Sequence, residues 1–441
     1  MSAKSGEASD SLCFLLTNDF SGLTRGRGFP ASALEQFVKS GCGWVHANQA
    51  LTPFGPIAAN HPFGPLGDLR LRADPSTLVH HDAGDGSEPF HFLLCDLVDY
   101  EGNQWDCDPR SLLQSAIAKL FDATGLYLNA SFEHEFMITN LGENAPPFSY
   151  RAYRLIDQLC SKILRAMQDA GTGPEMILPE YGAGQFEVTM QPTRALRAAD
   201  NAVIMRELVR ELSRREGLHA TFSPKLTPDG VGNGVHIHFG LLREDGTPCN
   251  YDAQGPGQMS GPLAHFCAGI LRHLPALVAL TAPSGISNLR LQPHHWSAAF
   301  TCIGVQNREA TLRICPAVKG ASAERAHHVE FRAADACASP YLVLASLILA
   351  GLDGIRNQIA LPELLTADPS SLSEAERKAG GIHPLPGSVP EALAEVDKDR
   401  ELKSWFSEDF WNCYRAMKRA ELGILEGFSA EEMCARYSQV Y

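Results

Sequence analysis

Four short segments of this chain alternate apolar side chains with Glu, His or Arg, and this pattern limits the fold more than any other feature. In the segment SFEHEFMI, residues 131–138, Glu133 and Glu135 are two positions apart. Successive side chains of a strand point to opposite faces, so the two carboxylates share a face, with Cα atoms about 7 Å apart. Neighbouring carboxylates repel each other unless water or a cation separates them. The segment is therefore either the solvated edge of an amphipathic strand or part of a site for a divalent cation.

Three later segments share this design of one apolar face and one polar face. Their polar faces carry, in chain order, Gln185 with Glu187, His236 with His238, and His328 with Glu330 and Arg332. Such strands, paired in one curved sheet, would form a polar bowl over an apolar core. Glutamate oxygens and histidine nitrogens are ligands for hard or borderline divalent metals. The recurrence therefore favours a metal site over a solvated edge.

Length, charge and composition exclude several classes of protein. With 441 residues the chain exceeds one small core, which predicts a large catalytic domain and a smaller one. The formal net charge of −14 argues against a nucleic-acid partner, which would need a basic stripe, and no polybasic patch for a membrane is present.

The chain also lacks features of secreted or membrane proteins. Residues 1–10 are polar and are expected to form a loose tail, neither a signal peptide nor an anchor. The apolar run from Tyr341 to Leu352 is too short to span a bilayer and predicts a buried helix. The twelve cysteines have no CxxC pair or regular spacing, which favours free thiols in a reducing, cytoplasmic location.

Hydrophobic periodicity divides the chain into two parts. Short apolar runs separated by turn-rich stretches predict a small, strand-rich domain over residues 1–104. Over residues 105–441, helical patterns such as Tyr150–Asp169, Arg194–Arg215 and Pro340–Gln358 separate the polar-faced strands. This order predicts an α+β fold with a curved, largely antiparallel sheet flanked by helices.

The sequence contains neither GxxxxGK[ST] nor GxGxxG. A nucleotide, if bound, is therefore not held by a glycine-rich phosphate loop. Metal ions and arginines would have to bind its phosphates.

Six motifs in a fixed order now indicate a family. They are FEHEF, LPEYGAGQFE, GNGVHIH, SNLRLQP, QNREATLR and VEFRAADACASPYL. In type and order they resemble the motifs of the glutamine synthetase superfamily, class I type, over nearly the whole chain. The resemblance implies a β-grasp-like N-terminal domain and a homo-oligomer of two stacked hexameric rings.

The resemblance also assigns roles to individual residues. One Mg²⁺ or Mn²⁺ would be held by Glu135, Glu180 and Glu187, and a second by Glu133, His236 and Glu330. Arg290, Arg332 and Gly232 would bind the glutamate substrate. Arg308, Arg313, His238 and His328 would contact ATP, and Arg290, Arg308 and Arg313 would be catalytic.

The sequence departs from the family pattern where the acceptor amine binds. Trp296 stands in the position of the flap glutamate, and no acidic residue occurs between Glu35 and Asp68, where the family has an ammonium-binding aspartate. His328 replaces an arginine, and Val231 replaces an asparagine. These changes leave the contacts to phosphate and to the substrate amine different from those of the family.

The leading hypothesis is an ATP-dependent ligase that joins the γ-carboxylate of L-glutamate to a small organic amine through γ-glutamyl phosphate. Trp296, His294 and His295 would line the acceptor pocket, and either histidine could accept the proton of the amine. The alternatives are a glutamine synthetase that uses ammonium, a non-catalytic assembly protein of the same fold, and a guanidino kinase. The intact metal positions count against the assembly protein, and the intact glutamate-binding motifs count against the kinase.

Overall fold

A computed structural model describes residues 11–441, so the predicted N-terminal tail lies outside the described residues. The first part of the chain forms a six-stranded sheet with one α-helix beside it. Its elements are β1 (Leu12–Asn18), β2 (Thr24–Pro30), α1 (Leu34–Ser40), β3 (Cys42–Trp44), β4 (Leu69–Ala73), β5 (Val79–His81) and β6 (Phe90–Val98). The strand order is β2-β1-β6-β4-β3, and β5 pairs with β6. The first and last strands are parallel neighbours at the centre, as in the predicted β-grasp-like arrangement.

The remainder of the chain forms a nine-stranded sheet covered by helices. The strands are β7 (Leu126–Ile138), β8 (Pro174–Pro179), β9 (Gln185–Met190), β10 (Thr193–Arg194), β11 (Ala220–Thr221), β12 (Val235–Arg243), β13 (Ile303–Val305), β14 (Leu312–Cys315) and β15 (His328–Ala334). The helices are α2 (Pro109–Thr124), α3 (Tyr150–Leu155), α4 (Asp157–Asp169), α5 (Ala195–Arg215), α6 (Gly261–Thr281), α7 (Ser287–Arg290), α8 (Ala323–Ala326), α9 (Pro340–Arg356), α10 (Glu374–Ala379), α11 (Val389–Lys398), α12 (Arg400–Ser404), α13 (Glu408–Ile424) and α14 (Ala430–Ser438).

The order of the large sheet is β13-β14-β15-β12-β7-β9-β8, with β10 and β11 also paired with β7. All pairs are antiparallel except β13 with β14. The prediction of an α+β fold with a largely antiparallel sheet is thus confirmed. One predicted helix is wrong in detail, because Tyr150–Asp169 is two helices, α3 and α4, with non-helical backbone at Ile156.

Helices α6 and α9 form the apolar layer behind the sheet and pack directly on each other. Glycines allow this close approach, because a Cβ on Gly269 would lie 2.1 Å from the carbonyl oxygen of Ala350. A Cβ on Gly354 would lie 2.0 Å from the carbonyl oxygen of His265. Within residues 11–441, α6 alone is long and apolar enough to cross a membrane, but 83% of that stretch is buried inside the protein, as in a core helix.

A buried ionic cluster, called here the junction cluster, joins the six-stranded sheet to the helices that cover the nine-stranded sheet. Arg110, in the first turn of α2, donates to Asp96 on β6 (2.7 Å), to Asp74 (2.7 Å) and twice to Asp200 on α5 (3.0 Å each). The hydroxyl of Tyr341 on α9 also donates to Asp200 (2.7 Å). The predicted domain boundary at residues 104 and 105 falls between β6 and α2 and stays a prediction. All twelve cysteines are free thiols, as expected.

Candidate active site

The register of the large sheet brings polar residues from separate strands into one row. Glu133 on β7 lies opposite His236 on β12, and Glu135 on β7 lies opposite Glu187 on β9. The residue between the two β7 glutamates, His134, faces away and is 1% exposed. Its ring lies near that of Phe132. Alternation along β7 therefore separates a carboxylate face from an apolar face, as the sequence predicts.

The strands on the other side of β12 extend this row. His238 on β12 and Arg313 on β14 both lie opposite Glu330 on β15. The polar faces enclose a cavity of about 920 Å³. Of the residues predicted to form the site, all except His328 line it: Glu133, Glu135, Glu180, Glu187, Gly232, His236, His238, Arg290, His294, His295, Trp296, Arg308, Arg313, Glu330 and Arg332.

The first group of potential metal ligands is Glu133, His236 and Glu330. His236 Nδ1 lies 3.5 Å from Glu133 Oε2 and 3.6 Å from Glu330 Oε1. Burial disfavours the ionised form of Glu330, but the charges of Arg332 and His236 outweigh burial and lower its pKa to about 2. This group therefore holds an ionised carboxylate at neutral pH.

The second group is Glu135, Glu187 and, again, His236. Glu135 Oε2 accepts a 2.7 Å hydrogen bond from the backbone N–H of Gly234, which fixes its orientation. Burial and the negative charges of Glu133 and Glu135 raise the pKa of Glu187 to about 9. Glu180 lines the same cavity but does not belong to this group, and its role stays a prediction.

Burial, and then the charge of Glu135, raises the pKa of Glu180 to about 7. Carboxyl groups crowded in this way favour a proton unless a cation takes its place. The donors are oxygens and one imidazole nitrogen, the ligand types that Mg²⁺ and Mn²⁺ accept. The residues present therefore fit a divalent-metal centre.

Three arginines surround the carboxylates and leave donors unpaired. Arg313 Nη1 donates to Glu330 (2.8 Å), and Arg332 Nη1 makes a short contact with the other oxygen of the same carboxylate. Arg290 Nη2 donates to the carbonyl of Ala334 (2.7 Å). The Nε atom of each of these arginines is buried without a hydrogen-bond partner. Buried unpaired donors at a cavity indicate a ligand that would accept from them.

Gly232 lets Arg290 approach the backbone of its loop. A Cβ at this position would lie 2.6 Å from Arg290 Cγ and 3.0 Å from the carbonyl oxygen of Pro224. Gln185 then donates to the carbonyl of Gly232 (2.9 Å) and holds the loop against β9. A side chain at position 232 would therefore force Arg290 or its own loop to shift.

His328 lies behind the cavity wall and contacts it through His238. His238 Nδ1 is 2.9 Å from His328 Nε2, and His238 Nε2 is 3.0 Å from Glu133 Oε1. Burial favours the neutral ring of His238, but Cys315 and Glu133 raise its pKa to about 10. Burial likewise opposes ionisation of Cys315, but His238 and His328 lower the pKa of its thiol to about 7.

The loop after Arg290 closes the cavity on one side. His294 and Trp296 adopt left-handed backbone conformations, with φ of 64° and 49°, and Trp296 is 66% exposed. Glu309 accepts from the backbone N–H of both, and Arg332 Nη2 donates to the carbonyl of Trp296 (2.8 Å). Such backbone conformations persist only where surrounding contacts hold them.

Several residues that contribute to the site were missed from the sequence. Glu309 follows Arg308 in the motif QNREATLR, and Tyr181 follows Glu180 in LPEYGAGQFE, so adjacency to a predicted residue was the available signal for both. Phe148 and Asp229 line the cavity from loops and carry no pattern that would have found them.

The carboxylates and arginines lie together on a curved sheet that follows a β-grasp-like domain. The family model for the glutamine synthetase catalytic domain matches residues 106–433, and that for the glutamine synthetase N-terminal domain matches residues 6–105. The chain therefore belongs to the glutamine synthetase family and is an ATP-dependent ligase. Members of this family generally use ATP and a divalent metal.

Individual relatives agree with this assignment. The chain is 34% identical to a gamma-glutamylpolyamine synthetase of Streptomyces coelicolor, covering 96% of this chain and 92% of that one. It is 30% identical to a glutamine synthetase of Thermococcus kodakarensis, covering 88% and 84%. A crystal structure described as a novel glutamine synthase homolog is 41% identical, with a TM-score of 0.90 over 98% of both chains.

Proposed function

We propose that this ligase joins the γ-carboxylate of L-glutamate to an organic amine, through γ-glutamyl phosphate, with release of ADP and phosphate. One observation carries the choice of acceptor: an exposed tryptophan, Trp296, occupies the cavity rim in the position of the family's flap glutamate. The similarity to a gamma-glutamylpolyamine synthetase supports the same class of acceptor.

The two groups of carboxylates and His236 would hold Mg²⁺ or Mn²⁺. Bound there, the cations would bridge the phosphates of ATP and screen their repulsion from the glutamate carboxylate. Glu133, His236 and Glu330 would serve one cation, and Glu135, Glu180 and Glu187 the other.

The arginines would orient the anions. Arg290 and Arg332, beside Gly232, would bind the glutamate substrate, and their unpaired Nε atoms support this role. Arg308 and Arg313 would stabilise charge on the transferred phosphoryl group, because guanidinium groups match phosphate oxygens.

His238 would contact the ATP phosphates from the cavity wall, with His328 behind it. His328 takes the place of a family arginine, so the phosphate end has a group that carries charge only when protonated. Arg308 and Arg313 would therefore make most of the contacts to phosphate.

The acceptor amine has to lose a proton before it attacks. An alkylamine has a pKa near that of Lys, so holding it neutral at pH 7 costs about 4–5 kcal/mol unless a base takes the proton. His294 and His295 border the cavity, and burial together with Lys225 lowers the pKa of His295, which keeps its ring neutral and able to accept. Weakly basic arylamines would avoid this cost because they are already neutral.

The body of the amine would contact the aromatic rim. Trp296, Tyr181 and Phe148 all line the cavity, and each is more than half exposed. Phe148 and Tyr181 lie together, with ring centroids 6.4 Å apart. Exposed aromatic surface of this kind favours an apolar, aromatic or alkylammonium ligand over ammonium.

Asp229 favours a second candidate, glutamine synthetase with ammonium as acceptor. It lines the cavity, and its carboxylate could replace the acidic residues missing between Glu35 and Asp68. A carboxylate both attracts ammonium and accepts its proton.

The two candidates are separated by the kcat/KM for ammonium relative to methylamine, longer alkylamines, ethanolamine, polyamines and aniline, at fixed glutamate and ATP. We expect at least one organic amine to exceed ammonium by about tenfold or more, which is about 1.4 kcal/mol in the transition state. Trp296→Glu should shift the ratio toward ammonium, and the matched control Trp296→Phe, which keeps an aromatic ring, should not. A tenfold preference of the wild type for ammonium would reject the organic acceptor.

We further propose that the chain assembles as two stacked hexameric rings in the cytoplasm, with each site closed by a neighbouring first domain. The family resemblance supports this assembly. A mass in solution equal to one chain would contradict it.

A further inference from the structure

One cluster at the edge of the candidate active site belongs to neither group of carboxylates. It consists of His238 on β12, Cys315 at the end of β14 and His328 at the start of β15, and is called here the His–Cys–His cluster. One ligand atom from each residue lies within 4.8 Å of the others. The pairing of Cys315 with His328 in the sheet register brings the thiol to the imidazoles.

Hydrogen bonding fixes which nitrogen of His328 is free. His328 Nδ1 lies 2.7 Å from the carbonyl oxygen of Ala326, which only accepts, so Nδ1 carries the proton. The lone pair of neutral His328 is therefore on Nε2, which faces His238 Nδ1 at 2.9 Å. Metal-bound histidines usually have this arrangement, with the second nitrogen donating to a carbonyl or carboxylate.

The carboxylate of Glu133 has a similar effect on His238. His238 Nε2 is buried and lies in a 3.0 Å ion-pair contact with Glu133 Oε1, off the direction of a good hydrogen bond. The negative charge keeps a proton on Nε2, so Nδ1 is the nitrogen that faces His328. Between His238 Nδ1 and His328 Nε2, 2.9 Å apart beside a thiol, there is room for a shared proton, which a cation can replace.

We propose that the His–Cys–His cluster is a third cation site, selective for a borderline divalent cation such as Zn²⁺. Two imidazoles and a thiolate are zinc ligands, whereas Mg²⁺ takes oxygen ligands. In a tetrahedral zinc site two ligand nitrogens lie about 3.3 Å apart, so the observed 2.9 Å requires only a small opening. The thiol proton and the proton between the two imidazoles leave to solvent on binding, and the fourth position takes a water molecule.

The site predicts a spectroscopic signature that is independent of ligase activity. Co²⁺ is titrated into the full-length chain in excess Mg²⁺, which fills the oxygen sites and does not bind thiolate. We expect one thiolate-to-cobalt charge-transfer band, saturating at one Co²⁺ per chain and displaced by Zn²⁺. No such band would overturn the proposal.

Matched variants locate the site and separate it from the proposed magnesium centre. Cys315→Ser should abolish the band, and Cys249→Ser, at a half-buried cysteine on another part of the chain, should leave it unchanged. Glu135→Ala should lose ligase activity and keep the band, so failure of the two proposals is distinguishable. A band that survives in Cys315→Ser would reject the cluster.

A measurement on the wild type covers the case in which Cys315→Ser fails to fold. Anomalous diffraction from zinc-soaked crystals should give a peak about 2.3 Å from Cys315 Sγ. A zinc peak only among the glutamates would overturn the assignment.

Discussion

Two buried clusters of charge in this molecule, the junction cluster and the active-site cavity, differ in how well they are satisfied. In the junction cluster one guanidinium, Arg110, binds three aspartates, and no nitrogen or oxygen of Arg110, Asp96 or Asp200 lacks a partner. In the active-site cavity the Nε atoms of Arg290 and Arg332 are unpaired. Carboxylates there are so crowded that one has its pKa raised to about 9.

The two clusters differ as charge that holds the fold together differs from charge that is available to a ligand. A buried ion cluster that is complete within the protein stabilises one arrangement of its elements, here strand β6 against α5 and α9. A cluster with excess carboxylates and unpaired donors favours a ligand, and the proposed cations and anionic substrates would complete it.

The largest effect is expected at the junction cluster. Arg110→Met should lower the free energy of unfolding by about 3–5 kcal/mol, because two buried carboxylates and the partly exposed Asp74 lose their counter-ion. The measurement is urea unfolding at a fixed chain concentration, since any assembly adds to stability.

The control for that change is Arg72→Met, which removes a partly exposed arginine 3.4 Å from the same Asp96. Its loss should stay below about 1 kcal/mol. Equal losses in the two variants would show that the junction cluster contributes no more than a surface ion pair.

In the cavity, Glu135→Ala should lower amine-dependent phosphate release by more than about a hundredfold. Loss of a metal ligand should cost more activity than loss of a residue that only hydrogen-bonds to a ligand, for which about 10–100-fold is typical. Without metal, removing the Glu135 carboxylate relieves its repulsion with neighbouring carboxylates. The free energy of unfolding of this variant should therefore change little. The neighbouring variant His134→Ala, on the apolar face, should mainly lower stability. Equal activity in the two variants would reject the metal assignment.

The smallest expected effect is a pH-dependent change in Tm when the charge of Glu187 is removed. Without metal, the pKa of Glu187 is about 9 in the folded chain and near 4.5 unfolded. The folded state therefore holds a proton that the unfolded state releases, and this stabilisation is lost as pH rises from about 4.5 to 9. Glu187→Gln should raise Tm in EDTA by about 2 °C or more at pH 8, and by less at pH 5.5.

Added Mg²⁺ should reverse the order of the two Tm values, so that the wild type melts above Glu187→Gln. Only the wild type offers the cation its full set of ligands. The control is Glu101→Gln, which changes an exposed carboxylate in a loop and should alter neither Tm nor its pH dependence. A Glu187→Gln variant less stable than the wild type in EDTA at pH 8 would contradict the raised pKa.

What the sequence predicted depended on local alternation. The faces of β7, β9, β12 and β15 follow from a period of two, so the residue pattern alone places Glu133, Glu135 and Glu187 in one bowl. The break at Ile156 was missed because apolar spacing continues across a change of helix axis. Asp157, acidic in the first turn of α4, was the available signal for a new start.

Other features depend on contacts that no local pattern encodes. Cys315 meets His328 only because β14 pairs with β15 in one particular register. Glu309 matters because its carboxylate reaches the backbone of a loop thirteen residues upstream, at Trp296. Periodicity gives the faces of strands, whereas pairing register and loop conformation are set by the whole fold.

The strand register limits where such a chain can gain or lose residues. Inserting one residue between Glu133 and His134 would turn half of β7 over, so one of its two glutamates would leave the cavity. An insertion in the loop over residues 53–67, or near Tyr181, would leave every strand in place. Lineages of this architecture can therefore change length in these loops, while the strands that carry the carboxylates tolerate only substitution.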